Sequence, residues 1–136
     1  MDMKKECCET NRDNRVVFKE GRSKLTIENP DRVEATKVIV DGCQINEGKR
    51  CDYLYLIKEK EIYIELKGQD IKYAIEQLET TIRRLSKDVR NSGKISIVIC
   101  TRSPLASASI QQFQIKFRKN YNSDFIVKSS PYHFKC

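Results

Sequence analysis

Few breakers and no long apolar runs interrupt this sequence. Five glycines and three prolines in 136 residues, against 39% hydrophobic and 33% charged residues, exclude a disordered low-complexity chain and supply enough apolar material for a core. The longest apolar runs, such as Ile95 to Cys100, suit a buried strand. They fall far short of the ~20 residues a membrane helix requires, so no transmembrane segment is expected. Met1 to Asn14 begins with two lysines but lacks the apolar stretch and small-residue cleavage site of a secretory signal; a cytoplasmic protein is expected.

Rival chemistries are missing too. No Gly-rich phosphate loop, Ser/His/Asp order or zinc spacing is present. The single histidine, His133, sits between Tyr132 and Phe134 without an obvious catalytic partner, which points to packing or surface. There are six cysteines, but Cys7 and Cys8 are adjacent, Cys43, Cys51, Cys100 and Cys136 are scattered, and no CxxC pair exists to form half a zinc site. In a cytoplasmic setting these thiols are expected to be reduced, with Cys43, Cys51 and Cys100 acting as small core hydrophobes.

What is present is a chain the size of one domain. Residues 1–22, polar and mixed in charge, predict a peripheral or loosely ordered start, and the core is expected over about 24–128. Strand patterns run over Lys24 to Glu28, Val33 to Asp41 and Cys51 to Ile57. After the charged link Lys58 to Glu61, strict alternation over Ile62 to Lys67 closes a hairpin, with Ile62, Ile64 and Leu66 on one face and Tyr63, Glu65 and Lys67 on the other; Gly68 ends the strand. Ile71, Ala74, Ile75, Leu78, Ile82 and Leu85 recur at helical spacing, predicting a helix from Asp70 to about Asp88. Lys94 to Thr101 reads as a buried strand parallel to the one before the helix. Ser103-Pro104 turns the chain into a second helix from Ala106 to about Tyr121, and Phe125 to Val127 looks like a last strand. The order predicts an α/β fold, a mixed central sheet flanked by helices as an α/β/α sandwich.

The formal net charge of +7 favours a polyanionic partner, because neutralised phosphates release condensed counterions. Asp52 at the head of one hairpin strand and Glu65 and Lys67 on the other can meet in one place. Mg²⁺ prefers hard oxygen ligands, usually one or two carboxylates completed by water and substrate phosphate. Asp52 and Glu65 meet that requirement, and Lys67 has the charge to orient or help deprotonate an attacking water. Asp41 in Val40-Asp41-Gly42 competes with Asp52 as the upstream carboxylate, but it lies further from Glu65 and reads as a turn.

Asp52, a twelve-residue interval and Glu65-Leu66-Lys67-Gly68, followed by a helix carrying Gln77, resemble the PD-(D/E)XK, or restriction-endonuclease-like, nuclease core over about Val33 to Thr101. Arg50-Cys51-Asp52 stands where the nominal Pro-Asp would be. The resemblance implies a restriction-endonuclease-like core in which Asp52, Glu65 and the Leu66 carbonyl bind Mg²⁺, with Mn²⁺ able to substitute, and Lys67 assists the nucleophile. Gln77 matches the helix glutamine of branches similar to RecB-type nucleases. An upstream acid of the family type would be Glu28 or Glu34, which the sequence does not separate.

Other candidates have plainer readings. Arg83, Arg84, Lys87 and Arg90 suit phosphate contacts, but basic residues near a helix C-terminus also complement its dipole. Tyr53, Tyr55 and Tyr63 suit base stacking, but tyrosines also simply cover sheet faces. The expected activity is metal-dependent phosphodiester hydrolysis, on DNA rather than RNA. The alternatives are a non-cleaving nucleic-acid-binding or interaction module of the same fold within a larger defence or repair complex, and a dimeric Holliday-junction resolvase-like enzyme. At this size, sequence specificity would be weak or supplied by a homodimer or a larger protein partner.

Overall fold

The computed structural model describes residues 3–66, 70–101 and 107–136. Lys67, Gly68, the Ser103-Pro104 turn and the expected helix start at Ala106 lie outside them. In chain order the elements are β1 (Cys8–Asn11), β2 (Arg15–Glu20), β3 (Ser23–Glu28), β4 (Ala35–Ile39), β5 (Tyr53–Ile57), β6 (Lys60–Leu66), α1 (Ile71–Leu85), β7 (Lys94–Cys100), α2 (Ser107–Tyr121), β8 (Ser123–Ser129) and β9 (Tyr132–Lys135). A six-stranded sheet has the order β1-β4-β5-β6-β7-β8, and a three-stranded sheet has the order β2-β3-β9. Pairing is antiparallel from β1 to β6 and parallel from β6 through β7 to β8, so the large sheet is mixed. Neither described helix is long and apolar enough to cross a membrane.

Alternation along β6 sorts the core as the period of two demands. Tyr63 joins Leu54, Val98 and the α1 residues Ala74, Ile75, Leu78 and Ile82 on one face. Ile62, Ile64 and Leu66 pack with Phe18, Leu25 and Ile27 on the other. Helix α1 starts where the Asp70 side chain accepts the Tyr73 N–H at 3.2 Å, an N-cap that satisfies one free amide. It stops at Leu85, short of Asp88, because Ser86 turns extended with its N–H still bonded to the Ile82 carbonyl. Strand β7 is buried along its whole length, including Lys94, whose ammonium donates to the carbonyls of Asp88, Ser92 and Tyr121 at 2.8, 2.8 and 2.9 Å. Three acceptors offset the desolvation of that cation.

Four expectations need correction. Helices do not flank both faces of the sheet: α1 and α2 share one face, and the three-stranded sheet covers the other. The reason is chirality. The crossovers β6-α1-β7 and β7-α2-β8 step along the sheet in the same direction, and right-handed connections then deliver both helices to the same side. The opposite face still has to be buried, and the N-terminal hairpin with the C-terminal strand does so.

Within the expected loose segment 1–22, the described residues 3–22 are accordingly not loosely ordered, since β1 extends the large sheet and β2 places Val16 and Phe18 in the core. The short alternation in Arg15-Val16-Val17-Phe18-Lys19 carried that strand, masked by the surrounding charge. At the other end the chain passes beyond β8 into β9, where exposed His133 pairs with Thr26. Finally, Cys7 and Cys43 form a disulfide with Cα atoms 5.7 Å apart across 36 residues, so not every cysteine is a reduced thiol. Such closeness cannot be read from spacing. Cys51 and Cys100 are buried free thiols, as expected.

Candidate functional site

Because β5 runs antiparallel to β6, its head lies beside the end of β6. The Asp52 N–H donates to the Ile64 carbonyl at 3.0 Å, and Asp52 Oδ2 accepts the Leu66 N–H at 2.7 Å. These bonds set the Asp52 carboxylate against the segment that carries Glu65, at the carboxyl ends of the parallel strands. Crevices of open α/β sheets form at such ends.

Glu65 is 8% exposed, and its Oε1 is buried with no hydrogen-bond partner. An orphaned carboxylate oxygen is costly to bury, so the group holds its proton. Burial first, then the neighbouring Asp52 carboxylate, push the Glu65 carboxyl up to about 9. Burial also pushes Asp52 up to about 6, against the bond from Leu66 and the contact with Glu65, while the charges of Glu20 and Asp41 push the same way as burial. At neutral pH the pair retains one proton, held on Glu65. Two like charges sharing a buried site resist ionising together.

A clamp from α1 fixes the approach to Asp52. Gln77 Nε2 donates to the Arg50 carbonyl at 3.0 Å, Thr81 Oγ1 accepts the Cys51 N–H at 2.8 Å, and the Thr81 hydroxyl donates to the Gln77 carbonyl at 2.8 Å. Gln77 therefore meets the backbone ahead of Asp52. Two N–H groups, of Val40 at 3.0 Å and Asp41 at 3.3 Å, hold the Asp52 carbonyl from the other side. Burial pushes the Cys51 thiol up, so that neighbour stays a protonated thiol.

The structure thus brings Asp52, Glu65 and Leu66 together, sets Gln77 behind them, and leaves Lys67 outside the described residues. Asp41 ion-pairs with Arg50 Nε at 2.8 Å and reaches the pair through its charge. Neither suggested upstream acid joins the site: Glu28 pairs with Arg15 at 3.5 Å, and Glu34 lines a surface pocket with Lys58, Glu59 and Lys60. Glu20 does reach Asp52 electrostatically, and the hairpin signal Glu20-Gly21-Arg22 between alternating segments could have found it. Thr81 carried no signal, since its partner is a backbone N–H thirty residues away.

Most of the basic and aromatic candidates are engaged structurally, whereas Arg90 is exposed and the half-buried Tyr53 donates its hydroxyl to the Lys19 carbonyl. Arg83 donates to Tyr121 Oη at 3.1 Å, Arg84 to the Glu47 carbonyl at 2.9 Å, and Lys87 to Glu59 at 3.3 Å. Tyr55 and Tyr63 are buried.

Among the described residues no group of three or more His, Cys, Asp or Glu side chains is arranged to hold a metal ion. A cation here would rest on the two carboxylates plus backbone, water or substrate oxygen. No protein-family model, curated protein or solved structure matches the chain.

Proposed function

We propose that the protein is a Mg²⁺-dependent nuclease that hydrolyses phosphodiester bonds, in DNA rather than RNA, on a restriction-endonuclease-like core. The observation that carries this reading is the buried, unpartnered Glu65 Oε1 beside Asp52. Two buried carboxyl groups sharing one proton on adjacent strand ends are a poor structural solution and a good divalent-cation site, because hard oxygen donors are what Mg²⁺ selects. The antiparallel β5-β6 pair, the α1 crossover and the parallel β7 form the arrangement on which the motif residues would work.

Asp52 and Glu65 would hold the ion, joined by the Leu66 carbonyl, with Mn²⁺ able to replace Mg²⁺. When bound, the ion supplies charge neutralisation at the phosphate and a lowered pKa for the attacking water. Asp52 would enter that state already oriented by the Leu66 N–H, and Glu65 would release its proton to solvent on entering it. Lys67 would orient the water or take its proton, and Gln77 would act as a positioning residue through the Arg50 carbonyl. The net charge of +7 supports a nucleic-acid substrate. A cytoplasmic location belongs to the same proposal, and there cellular thiols would meet the Cys7–Cys43 disulfide.

The test is cleavage of linear duplex, single-stranded and branched DNA, and of RNA, with Mg²⁺ or Mn²⁺, comparing wild type with Asp52→Ala and Lys67→Ala. Metal-dependent cutting lost in both variants supports the reading. Binding without cutting by wild type on every substrate replaces it with a non-cleaving module, and cutting confined to branched DNA by a dimer replaces it with a resolvase.

A further inference from the structure

Strands β2 and β3 meet in a two-residue turn, with Glu20 paired to Ser23 and Gly21 at φ +58°, the first central position where a primed hairpin turn admits glycine. This tip reaches the end of the molecule that carries the acid pair. Tyr53, next to Asp52, donates its hydroxyl to the Lys19 carbonyl at 3.5 Å, and the Glu20 charge acts on Asp52. The other wall comes from the ends of β7 and β8: the Ser130 N–H donates to the Cys100 carbonyl at 2.9 Å, and Ser130 Oγ accepts the Lys24 N–H at 2.9 Å. Between these walls lies an open pocket of about 560 Å³ lined by Lys19, Arg22, Lys24, Thr101, Ser130 and Pro131.

Three cations face one pocket, and among the described residues no carboxylate lines it or pairs with them. Packing three like charges on a short hairpin is unfavourable unless an anion shares the space. The geometry points to this pocket as a phosphate-binding subsite that holds a nucleic-acid strand across the Asp52–Glu65 site, an inference that rests on the nuclease reading. Lys19, Arg22 and Lys24 supply charge-assisted donors, and the Thr101 hydroxyl offers a neutral one; the Ser130 hydroxyl instead donates to the Arg22 carbonyl at 3.2 Å and so braces the turn. The acid pair repels phosphate until a cation is bound, so this subsite would carry the metal-independent part of substrate affinity. The shared ligand chemistry is a phosphate monoester or diester, at a strand end or within the backbone.

The test is fluorescence anisotropy in EDTA with 5′-phosphorylated and 5′-hydroxyl single-stranded oligonucleotides over a salt series. It compares wild type, the triple variant Lys19→Gln/Arg22→Gln/Lys24→Gln, and a control of equal charge, Lys5→Gln/Lys119→Gln/Lys135→Gln. These side chains are exposed, so folding is preserved and checked by Tm. The pocket variant is expected to bind about tenfold more weakly than the control. Its slope of log K against log salt should be shallower by about 0.7.

Loss of a 5′-phosphate preference in the pocket variant assigns a terminal phosphate; equal weakening on both oligonucleotides assigns a backbone one. Equal behaviour of pocket variant and control overturns the subsite and leaves the nuclease reading standing, provided wild type still cleaves with Mg²⁺. No binding by wild type in EDTA also overturns the subsite, and only a matching absence of cleavage removes the nuclease reading with it.

Discussion

The Leu66 backbone N–H donates to Asp52 Oδ2 at 2.7 Å, tying a carboxylate at the head of one strand to the chain that carries Glu65 on the next. The bond orients Asp52 without satisfying Glu65, whose Oε1 stays unpartnered. Glu65→Gln tests what that oxygen is for. The substitution mimics the protonated group already present at neutral pH, so the metal-free protein is expected to keep or raise its Tm. Cleavage should fall on the order of 10²-fold or more, and the Tm gain on adding Mg²⁺ should vanish. A variant that cuts as fast as wild type removes Glu65 from the site.

Proton linkage gives a signed prediction. The Glu65 carboxyl is raised from 4.5 to about 9 and Asp52 from 3.8 to about 6. The folded state therefore keeps protons that the unfolded chain has released. Their contribution is complete below about pH 4 and is lost as pH rises, for Asp52 towards 6 and for Glu65 towards 9. One such proton corresponds to at most about 1.4 kcal/mol per pH unit. Wild type minus Glu65→Gln, followed by urea melts in EDTA, should decline between about pH 4.5 and 9. Mg²⁺ competes with those protons, so its stabilisation should grow over the same interval; a flat difference curve would contradict the buried-pair account.

Thr81 bonds the Cys51 N–H and the Gln77 carbonyl at once. Replacing it with Val keeps the shape and strands a buried N–H, which costs about 1 to 3 kcal/mol. Because the segment released is the one leading into Asp52, kcat should drop in a fully folded sample at low temperature, with little change in KM. Stability loss with unchanged kcat would reduce Thr81 to a structural bond.

The Cys7–Cys43 disulfide closes 36 residues and should stabilise by about 2 to 4 kcal/mol, chiefly by restricting the unfolded chain. Dithiothreitol should lower the Tm of wild type and leave Cys7→Ser unmoved. A Tm insensitive to reductant in both proteins would show that the bond contributes nothing.

Local pattern alone determined much of this molecule. Alternation over Ile62 to Leu66, helical spacing from Ile71 to Ile82 and the apolar run from Ile95 to Cys100 are written in neighbouring residues, because each element chooses its own periodicity. The same pattern put Asp52 and Glu65 on strands of one hairpin, so their meeting was legible as well. The partners of Gln77 and Thr81, the disulfide and the reach of Glu20 towards Asp52 were not, since each joins residues far apart in the chain. The side of the sheet taken by α2 was also decided only in the tertiary structure. Two right-handed crossovers stepping the same way stack both helices together, and burying the face left open drew the charged N-terminal segment and the last strand into the fold.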